Sequence, residues 1–338
     1  MVPALAVAEA LRAEGAEVAF IGGERAEAQL VPAAGFALHP ISVEGVSRSN
    51  PLRALRALAR AAAAVPRARA LLRELGAEAV LGAGGYVAAP VGLAAASLRI
   101  PLVLTEADSH LGMANRLLAR FARRVCLAFP LPGRSGPRYR VTGRPVAQAA
   151  LDRNAARERF AIGEQETCVL VFGGSLGARS VNMAAAEAFA GASFHVLHVA
   201  GRRDYPELVA RGLPPAYDLR EYLDLADFAG AMAAADLVVA RAGGSVFEIA
   251  AHGLPAILVP YPHASGDHQS ENARWMARAG AAVTITDAEL SAARLAREVA
   301  ALLADRERLA AMASASRSLA RPDAAREVAG ELLEAAAP

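Results

Sequence analysis

Side chains able to do chemistry are densest between residues 241 and 272, RAGGSVFEIAAHGLPAILVPYPHASGDHQSEN. A strand predicted over residues 237–240 runs into the glycine turn Gly243-Gly244-Ser245, and a helix opening at Ser245 carries Glu248 three positions on. A second strand, residues 256–260, delivers a loop holding His263, Asp267, His268, Gln269 and Asn272. Two strand ends thereby bring backbone N–H groups, one carboxylate and several neutral donors to one sheet edge. Such an edge suits a phosphorylated, hydroxyl-rich ligand, and a nucleotide sugar has that chemistry.

Glu248 has two readings. Ser245-x-x-Glu248 has the spacing of a capping box, in which the glutamate only satisfies the helix start. Alternatively its carboxylate accepts both hydroxyls of a ribose, a bidentate arrangement that neutral side chains imitate poorly. Asp267, His268, Gln269 and Asn272 allow a metal site, a polar loop capping a helix, or a sugar-binding face. Only one histidine falls within residues 267–272, and His263 lies across an Ala-Ser-Gly link, so metal is the poorest of the three and sugar binding leads.

Three glycine loops follow predicted strands: Gly82-Ala83-Gly84-Gly85-Tyr86, Gly173-Gly174-Ser175-Leu176-Gly177-Ala178-Arg179, and Gly243-Gly244-Ser245. Glycine permits positive φ and close approach of a ligand, while the following helix offers N–H groups to a diphosphate. Each loop alone is equally explained by packing; three in one α/β chain favour phosphate. None is a GxGxxG followed by an acidic residue ending the next strand, which argues against a nicotinamide enzyme. Thr105-Glu106-Ala107-Asp108 follows the strand 102–104 at its carboxyl end, where open sheets hold ligands. Its two carboxylates suit a general base or the orientation of an acceptor, against the alternative of a solvated loop.

The elements that must position these groups alternate along the chain. Strands are predicted at 17–21, 37–43, 79–81, 102–104, 125–128 and 140–141, then at 168–172, 194–199, 219–222, 237–240, 256–260 and 282–285. Short apolar runs separated by helices argue for parallel sheets covered on both faces. The Pro/Gly/Arg-rich stretch 130–145 marks a boundary, giving domains 1–145 and 146–320, with a last helix near 322–335 folding back on the first. The chain opens on a helix, residues 4–13, where a doubly wound domain normally opens on a strand and a glycine loop.

Composition removes several classes. At 338 residues two cores are expected. All 36 basic residues are arginine, which excludes a Walker-type phosphate loop and a lysine Schiff base. A net charge of +2 gives no case for nucleic acid. Cys126 and Cys168 lie in apolar runs without CxxC spacing, as buried residues of a reducing cytosol do. No apolar run reaches the roughly 18 residues that span a bilayer, so a soluble or surface-attached protein is expected. Arginines crowd two predicted helices, 51–75 (Arg53, Arg56, Arg60, Arg67, Arg69, Arg73) and 114–124 (Arg116, Arg120, Arg123, Arg124). They suit anionic lipid headgroups, or else form ordinary solvated faces.

Together these motifs resemble one family, the bacterial UDP-N-acetylglucosamine–N-acetylmuramyl-(pentapeptide) pyrophosphoryl-undecaprenol N-acetylglucosaminyltransferases, which convert lipid I to lipid II in peptidoglycan synthesis. The resemblance runs from Pro3-Ala4-Leu5-Ala6-Val7-Ala8 to the final helices through Gly82-x-Gly84-Gly85-Tyr86, Gly173-Gly174-Ser175-x-Gly177-Ala178-Arg179, Arg241-Ala242-Gly243 with Glu248, and Asp267-His268-Gln269-x-x-Asn272. It implies a GT-B α/β fold: two Rossmann-like, doubly wound parallel-sheet domains facing a cleft. It implies inverting transfer to the muramic acid 4-hydroxyl with no metal and no cofactor, the sugar nucleotide being a substrate.

The donor contacts implied are Gly174, Ser175, Gly177 and Arg179, then Leu223 for uracil and Gly243, Gly244 and Ser245. Glu248 would hold the ribose, and His268, Gln269 and Asn272 the sugar. Gly84, Gly85, Tyr86, Glu106 and Asp108 are implied on the acceptor side, with Glu106 and Tyr86 as the catalytic candidates. The resemblance also favours anionic lipids of the inner leaflet as partners of the arginine-rich helices 51–75 and 114–124, at the cytoplasmic face of the cell membrane, with the cell-wall synthesis machinery as a further partner.

Three departures accompany the resemblance. The family's opening strand and GGTGGH-like loop are missing before residue 1, so the first domain is expected to be incomplete and catalysis impaired. Ala147 replaces a donor-site arginine, with Arg144 in the same turn, and only Glu106 is kept of the family's His-Glu-Gln-Asn. The rival reading is another GT-B enzyme, a glycolipid glycosyltransferase or a UDP-N-acetylglucosamine 2-epimerase.

Overall fold

Strands form where short apolar, β-branched runs are bounded by Gly, Pro or polar residues, and helices form across the alanine- and arginine-rich stretches between them. The computed structural model describes residues 1–23, 27–44, 50–108, 110–146, 152–174 and 176–337. By internal contacts the chain divides into two units, Met1–Val146 with Arg321–Pro338, and Ala147–Ala320. The first contains α1 (Val2–Ala13), β1 (Ala19–Gly22), α2 (Glu27–Ala33), β2 (Ala37–Pro40), α3 (Pro51–Glu74), β3 (Val80–Gly82), α4 (Gly85–Leu98), β4 (Leu102–Glu106), α5 (Met113–Leu118), β5 (Arg124–Leu127) and β6 (Tyr139–Val141). The second runs through α6 (Arg153–Arg159), β7 (Cys168–Phe172), α7 (Arg179–Ala188), β8 (His195–Val199), α8 (Tyr205–Ala210), β9 (Tyr217–Arg220), α9 (Leu225–Ala234), β10 (Leu237–Ala240), α10 (Val246–Ala251), β11 (Ala256–Leu258), α11 (His268–Arg278), β12 (Ala282–Thr284), α12 (Ala292–Ala304) and α13 (Arg306–Leu319). The last helix, α14 (Ala324–Ala336), belongs to the first unit.

In the first unit β3 to β6 pair parallel in sequential order, with Val80 opposite Leu102 and Val103 opposite Arg124. β1 and β2 pair parallel by themselves, Ala19 opposite Ala37, so among the described residues this unit carries two sheets rather than one. Side chains alternate along β4, which decides what covers each face. Leu102 and Leu104 pack with Leu71 and Leu72 of α3, Val91 of α4 and Leu118 of α5. Val103 points the other way, with Cys126, onto Val7 and Leu11 of α1 and Val328 and Leu332 of α14. Glu331 of α14 is buried and takes the Nε groups of Arg124 and Arg140, each at 2.9 Å. Apolar contacts and a paired charge thus tie the last helix to this sheet.

The second unit has one six-stranded parallel sheet in the order β12-β11-β10-β7-β8-β9. All residues of β7 and β10 are buried, as expected for central strands covered on both faces. The chain leaves β7 toward β8 and β9, then returns through β10 on β7's other side. Phe172 and Ala240 are register partners, so the loops after β7 and β10 leave the sheet side by side at the topological switch point. Some predicted strands are shifted: β1 begins at Ala19, two residues after the expected start, and β9 at Tyr217, two residues before it. Tyr217 is buried and pairs with Val196, and this anchor outweighs the apolar Leu-x-x-Tyr pattern further along.

Candidate functional site

The loop after β7 is shaped by what its glycines exclude. Gly174 and Gly177 take φ of +90° and +81°, which L side chains rarely adopt. A Cβ on Gly177 would stand 2.2 Å from the Ala200 carbonyl oxygen, so the loop lies backbone to backbone on the end of β8. The N–H of Gly177 bonds the Gly174 carbonyl at 2.9 Å, and α7 begins two residues later. The result is a tight turn feeding a helix start, the geometry in which N–H groups meet an anionic oxygen. Ser175 lies outside the described residues. Arg179 is engaged elsewhere: its guanidinium bonds both oxygens of Glu207, at 2.5 and 3.0 Å.

The turn after β10 is held by two buried residues. Arg241 bonds the carbonyls of Val259 and Pro260, each at 3.1 Å, and the Ser180 hydroxyl of α7 at 2.8 Å, and pairs with Asp287 at 2.6 Å. One guanidinium therefore joins the ends of β10 and β11 to the start of α7. Asn272 of α11 donates to the carbonyls of Ala242 at 2.9 Å and Gly243 at 3.3 Å. It is buried, and its place is behind the turn as a brace rather than at an open surface.

Gln269 has its amide oriented by the backbone. The Tyr261 N–H donates to Oε1 at 2.9 Å, which leaves the Nε2 hydrogens as the groups on offer, with Nε2 3.9 Å from where a Cβ on Gly243 would sit. His268, half-buried, opens α11 directly after Asp267, which holds the left-handed conformation with φ +55°. Glu248 is half-buried at the third position of α10. The capping-box reading of Ser245 fails, because its side chain makes no capping hydrogen bond and its backbone is already helical. Gly243 and Gly244 instead accept the Val246 and Phe247 N–H groups, each at 3.3 Å. Leu223 is buried just past β9.

In the first unit Glu106 ends β4 and is 7% exposed. Oε2 accepts the Gly112 N–H at 2.7 Å and the Asn115 amide at 3.0 Å, while Oε1 accepts the Asp108 N–H at 3.2 Å. The carboxylate thus gathers the loop that follows it, and Asp108 is brought to it through its backbone. Gly84 and Gly85 take φ of +81° and +74° at the start of α4, and the Tyr86 hydroxyl lies 3.2 Å from where a Cβ on Gly23 would stand. Both cysteines are buried and their thiols are pushed up to about 12 by that burial, so neither serves as a nucleophile. Among the described residues no group of three or more His, Cys, Asp or Glu is placed to hold a metal ion.

Comparison with known proteins places this geometry. Residues 1–127 match the glycosyltransferase family 28 N-terminal domain, and residues 168–328 the C-terminal domain of the same family. The chain belongs to glycosyltransferase family 28. The transferase is 44% identical, over 97% of its length and 98% of the relative's, to the UDP-N-acetylglucosamine–N-acetylmuramyl-(pentapeptide) pyrophosphoryl-undecaprenol N-acetylglucosamine transferase of Rubrobacter xylanophilus. It is 41% identical to the protein of that name from Moorella thermoacetica, over 95% of its length and 92% of the relative's. Among solved structures it resembles MurG of Acinetobacter baumannii, with a TM-score of 0.76 and 30% identity over 98% of this chain and 95% of that one. A kitacinnamycin glycosyltransferase shares the fold at 20% identity and a TM-score of 0.74, covering 99% of this chain and 95% of that one. The fold class is GT-B, built from parallel α/β sheets.

Some residues around the candidate site went unmarked in the sequence. Asn115 holds the Glu106 carboxylate and also bonds the Thr105 carbonyl at 2.9 Å. Asn182, His198 and Tyr217 form a buried polar chain behind the glycine loop after β7. Their only signal is a polar residue inside an apolar run, as in His-Val-Leu-His-Val. Ala147, which stands where the family has a donor-site arginine, lies outside the described residues.

Proposed function

We propose that this enzyme transfers N-acetylglucosamine from UDP-N-acetylglucosamine to the muramic acid 4-hydroxyl of undecaprenyl-diphospho-muramoyl-pentapeptide, lipid I, giving lipid II for peptidoglycan synthesis. The observation that carries the donor half is Gln269. Its amide, fixed by the Tyr261 N–H, presents only donors beside the glycine turn that leads to Glu248. Neutral donors suit sugar hydroxyls, and the Glu248 carboxylate suits a ribose diol. The second unit is accordingly assigned the donor, with Gly174, Ser175 and Gly177 and the start of α7 on the diphosphate and the backbone at Leu223 on uracil. Gly243, Gly244, Ser245, Glu248, His268 and Gln269 complete the donor contacts, while Asn272 and Arg241 hold their turn in place. Arg179, engaged by Glu207, contributes charge at a distance.

The first unit is assigned the acceptor, through Gly84, Gly85, Tyr86, Glu106 and Asp108. In the reaction the acceptor hydroxyl oxygen attacks the anomeric carbon from the face opposite UDP and gives up its proton to a general base or to water. The bond from that carbon to the diphosphate breaks, and the anomeric centre inverts. Backbone N–H groups of the glycine loop meet the charge that develops on the departing diphosphate, so no metal is called on for that task. Glu106, gripped by three donors, shapes the acceptor loop rather than reaching out of it.

Peripheral attachment to the cytoplasmic face of the membrane fits the surface of the first unit. No helix among the described residues is long and apolar enough to cross a membrane. Yet α3 exposes Leu52 at 78%, Leu55 at 66% and Leu58 at 55%, interleaved with Arg53, Arg56 and Arg60. Leucines and arginines alike are exposed there. α5 and the turn after it expose Met113 and Phe121 beside Arg116 and Arg120. Apolar side chains among arginines suit an anionic bilayer surface, where the lipid-linked acceptor resides. Contacts with other cell-wall enzymes belong to the same proposal. The test is to supply labelled UDP-N-acetylglucosamine with lipid I in detergent: label should enter the lipid fraction only when both are present. Release of free N-acetylmannosamine without lipid would replace this activity with an epimerase.

A further inference from the structure

His198 of the second unit is a fully buried ionisable side chain that the proposed chemistry leaves unused. It lies on β8, directly beneath the glycine loop. Its ring nitrogens have distinct partners: Nδ1 is 2.7 Å from the Tyr217 hydroxyl, and Nε2 is 3.1 Å from Oδ1 of Asn182. Asn182 is equally buried and sits in the first turn of α7. Its amide nitrogen donates to the Ala200 carbonyl at 2.8 Å and to Asp204 Oδ2 at 2.9 Å. Asp204, also buried, receives Arg203 through Nε and a terminal nitrogen at 2.8 and 2.9 Å.

The proton positions follow from these partners. Both groups facing the Asn182 nitrogen are acceptors, so the amide is locked with Oδ1 toward His198. Oδ1 only accepts, so His198 carries its proton on Nε2 and is neutral; burial lowers its pKa to about 3. Nδ1 is then an acceptor, and Tyr217 donates to it. Every polar atom in the chain Tyr217–His198–Asn182 therefore has one permitted role. The far end of that chain is the Ala200 carbonyl, the atom that a Cβ on Gly177 would strike, and Gly201 likewise abuts the Gly177 backbone, a Cβ there lying 2.2 Å from its N.

We propose that Tyr217, His198 and Asn182 are positioning residues for the donor diphosphate: they hold the end of β8 and the start of α7 at the one separation that aims the glycine-loop N–H groups at phosphate oxygens. This rests on the donor assignment above. Asn182 clamps the carbonyl on which Gly177 rests, and His198 keeps the Asn182 amide from turning over. A turned amide would set an oxygen against Ala200 and Asp204 and push the loop off its seat. The uracil and sugar contacts come from other turns, so the effect falls on diphosphate affinity and not on the acceptor.

The test compares His198→Leu, His198→Gln and Tyr217→Phe in the full chain, reading UDP affinity by calorimetry and KM for each substrate alongside thermal melting. Glutamine places an amide nitrogen where Nε2 was and an oxygen where Nδ1 was. It should keep UDP affinity within about threefold, whereas leucine should weaken it about tenfold or more and raise the donor KM in step, with acceptor KM unchanged. If the leucine variant does not fold, Tyr217→Phe carries the test, with an expected loss of about threefold or more. UDP affinity unchanged in the variants that fold, whatever their melting temperature, overturns the inference and leaves a structural core. UDP that fails to bind the native protein instead overturns the donor assignment, so the two failures are distinguishable.

Discussion

The Tyr261 N–H and the Gln269 Oε1 lie 2.9 Å apart, and this single hydrogen bond decides which end of the Gln269 amide a ligand meets. A carboxylate at the same position would keep the bond to Tyr261 but replace two donors by an acceptor. Gln269→Glu should therefore raise KM for UDP-N-acetylglucosamine by about tenfold or more while UDP alone binds nearly as before. Steady-state kinetics beside UDP calorimetry separates the two. Equal losses for the sugar nucleotide and for UDP would move Gln269 away from the sugar.

Glu248 is the partner proposed for the ribose. The Ser245 hydroxyl does not cap α10, so the serine half of a capping box is not formed. Glu248→Gln should weaken UDP binding by about 1.5–3 kcal/mol, the scale of a hydrogen bond to a charged group. Calorimetry with UDP reads this directly, and an unchanged dissociation constant returns Glu248 to a structural role.

Glu106 holds its loop through Gly112, Asn115 and Asp108. Glu106→Gln turns one acceptor oxygen into a donor among donors, and Asn115→Ala removes one of the grips. Both should raise the acceptor KM by about tenfold with the donor KM unchanged, since buried polar groups are left unpaired. A fall in kcat with loss of the acidic limb of the pH profile, confined to Glu106→Gln, would instead make Glu106 the base.

His198 also sets a pH dependence. Its folded pKa is about 3 because burial disfavours the cation, against an unfolded value of about 6.5. Between those values the unfolded chain takes up a proton that the folded chain refuses. Stability therefore rises with pH across that window and falls as pH drops below about 6.5, by at most about 1.4 kcal/mol per unit. Denaturant unfolding at about pH 6.5 and about pH 5 should show a larger loss for the native protein than for His198→Gln. Parallel losses would mean that His198 does not stay neutral in the folded protein.

Strand cores were legible where apolar residues run unbroken. Residues 168–172 and 237–240 are read as strands from composition alone, and the structure has β7 and β10 at those residues. Legibility failed where one long-range contact outweighs local pattern. β9 starts at Tyr217 because its hydroxyl reaches His198, nineteen residues away in sequence, and no local periodicity carries that fact. Spacing also misled at Ser245, whose i to i+3 relation with Glu248 matches a capping box that does not form. The glycine loops could be named from the sequence, but not the reason for their glycines. For Gly177 that reason is the Ala200 carbonyl, brought against it by the parallel pairing of β7 with β8.

The exposed leucines of α3 give a prediction for the membrane. Replacing Leu52, Leu55 and Leu58 together by serine should reduce co-sedimentation with anionic vesicles by about tenfold or more while leaving UDP affinity untouched. Undiminished binding to the vesicles would place the membrane contact elsewhere.

The most direct measurement is the structure of the lipid product. After incubation of the purified protein with UDP-N-acetylglucosamine and lipid I, the isolated lipid should be heavier by one N-acetylhexosamine. NMR of its new anomeric proton should show a β linkage to the muramic acid 4-oxygen. An α linkage, a different attachment point, or a lipid of unchanged mass beside consumed sugar nucleotide would contradict the proposed reaction.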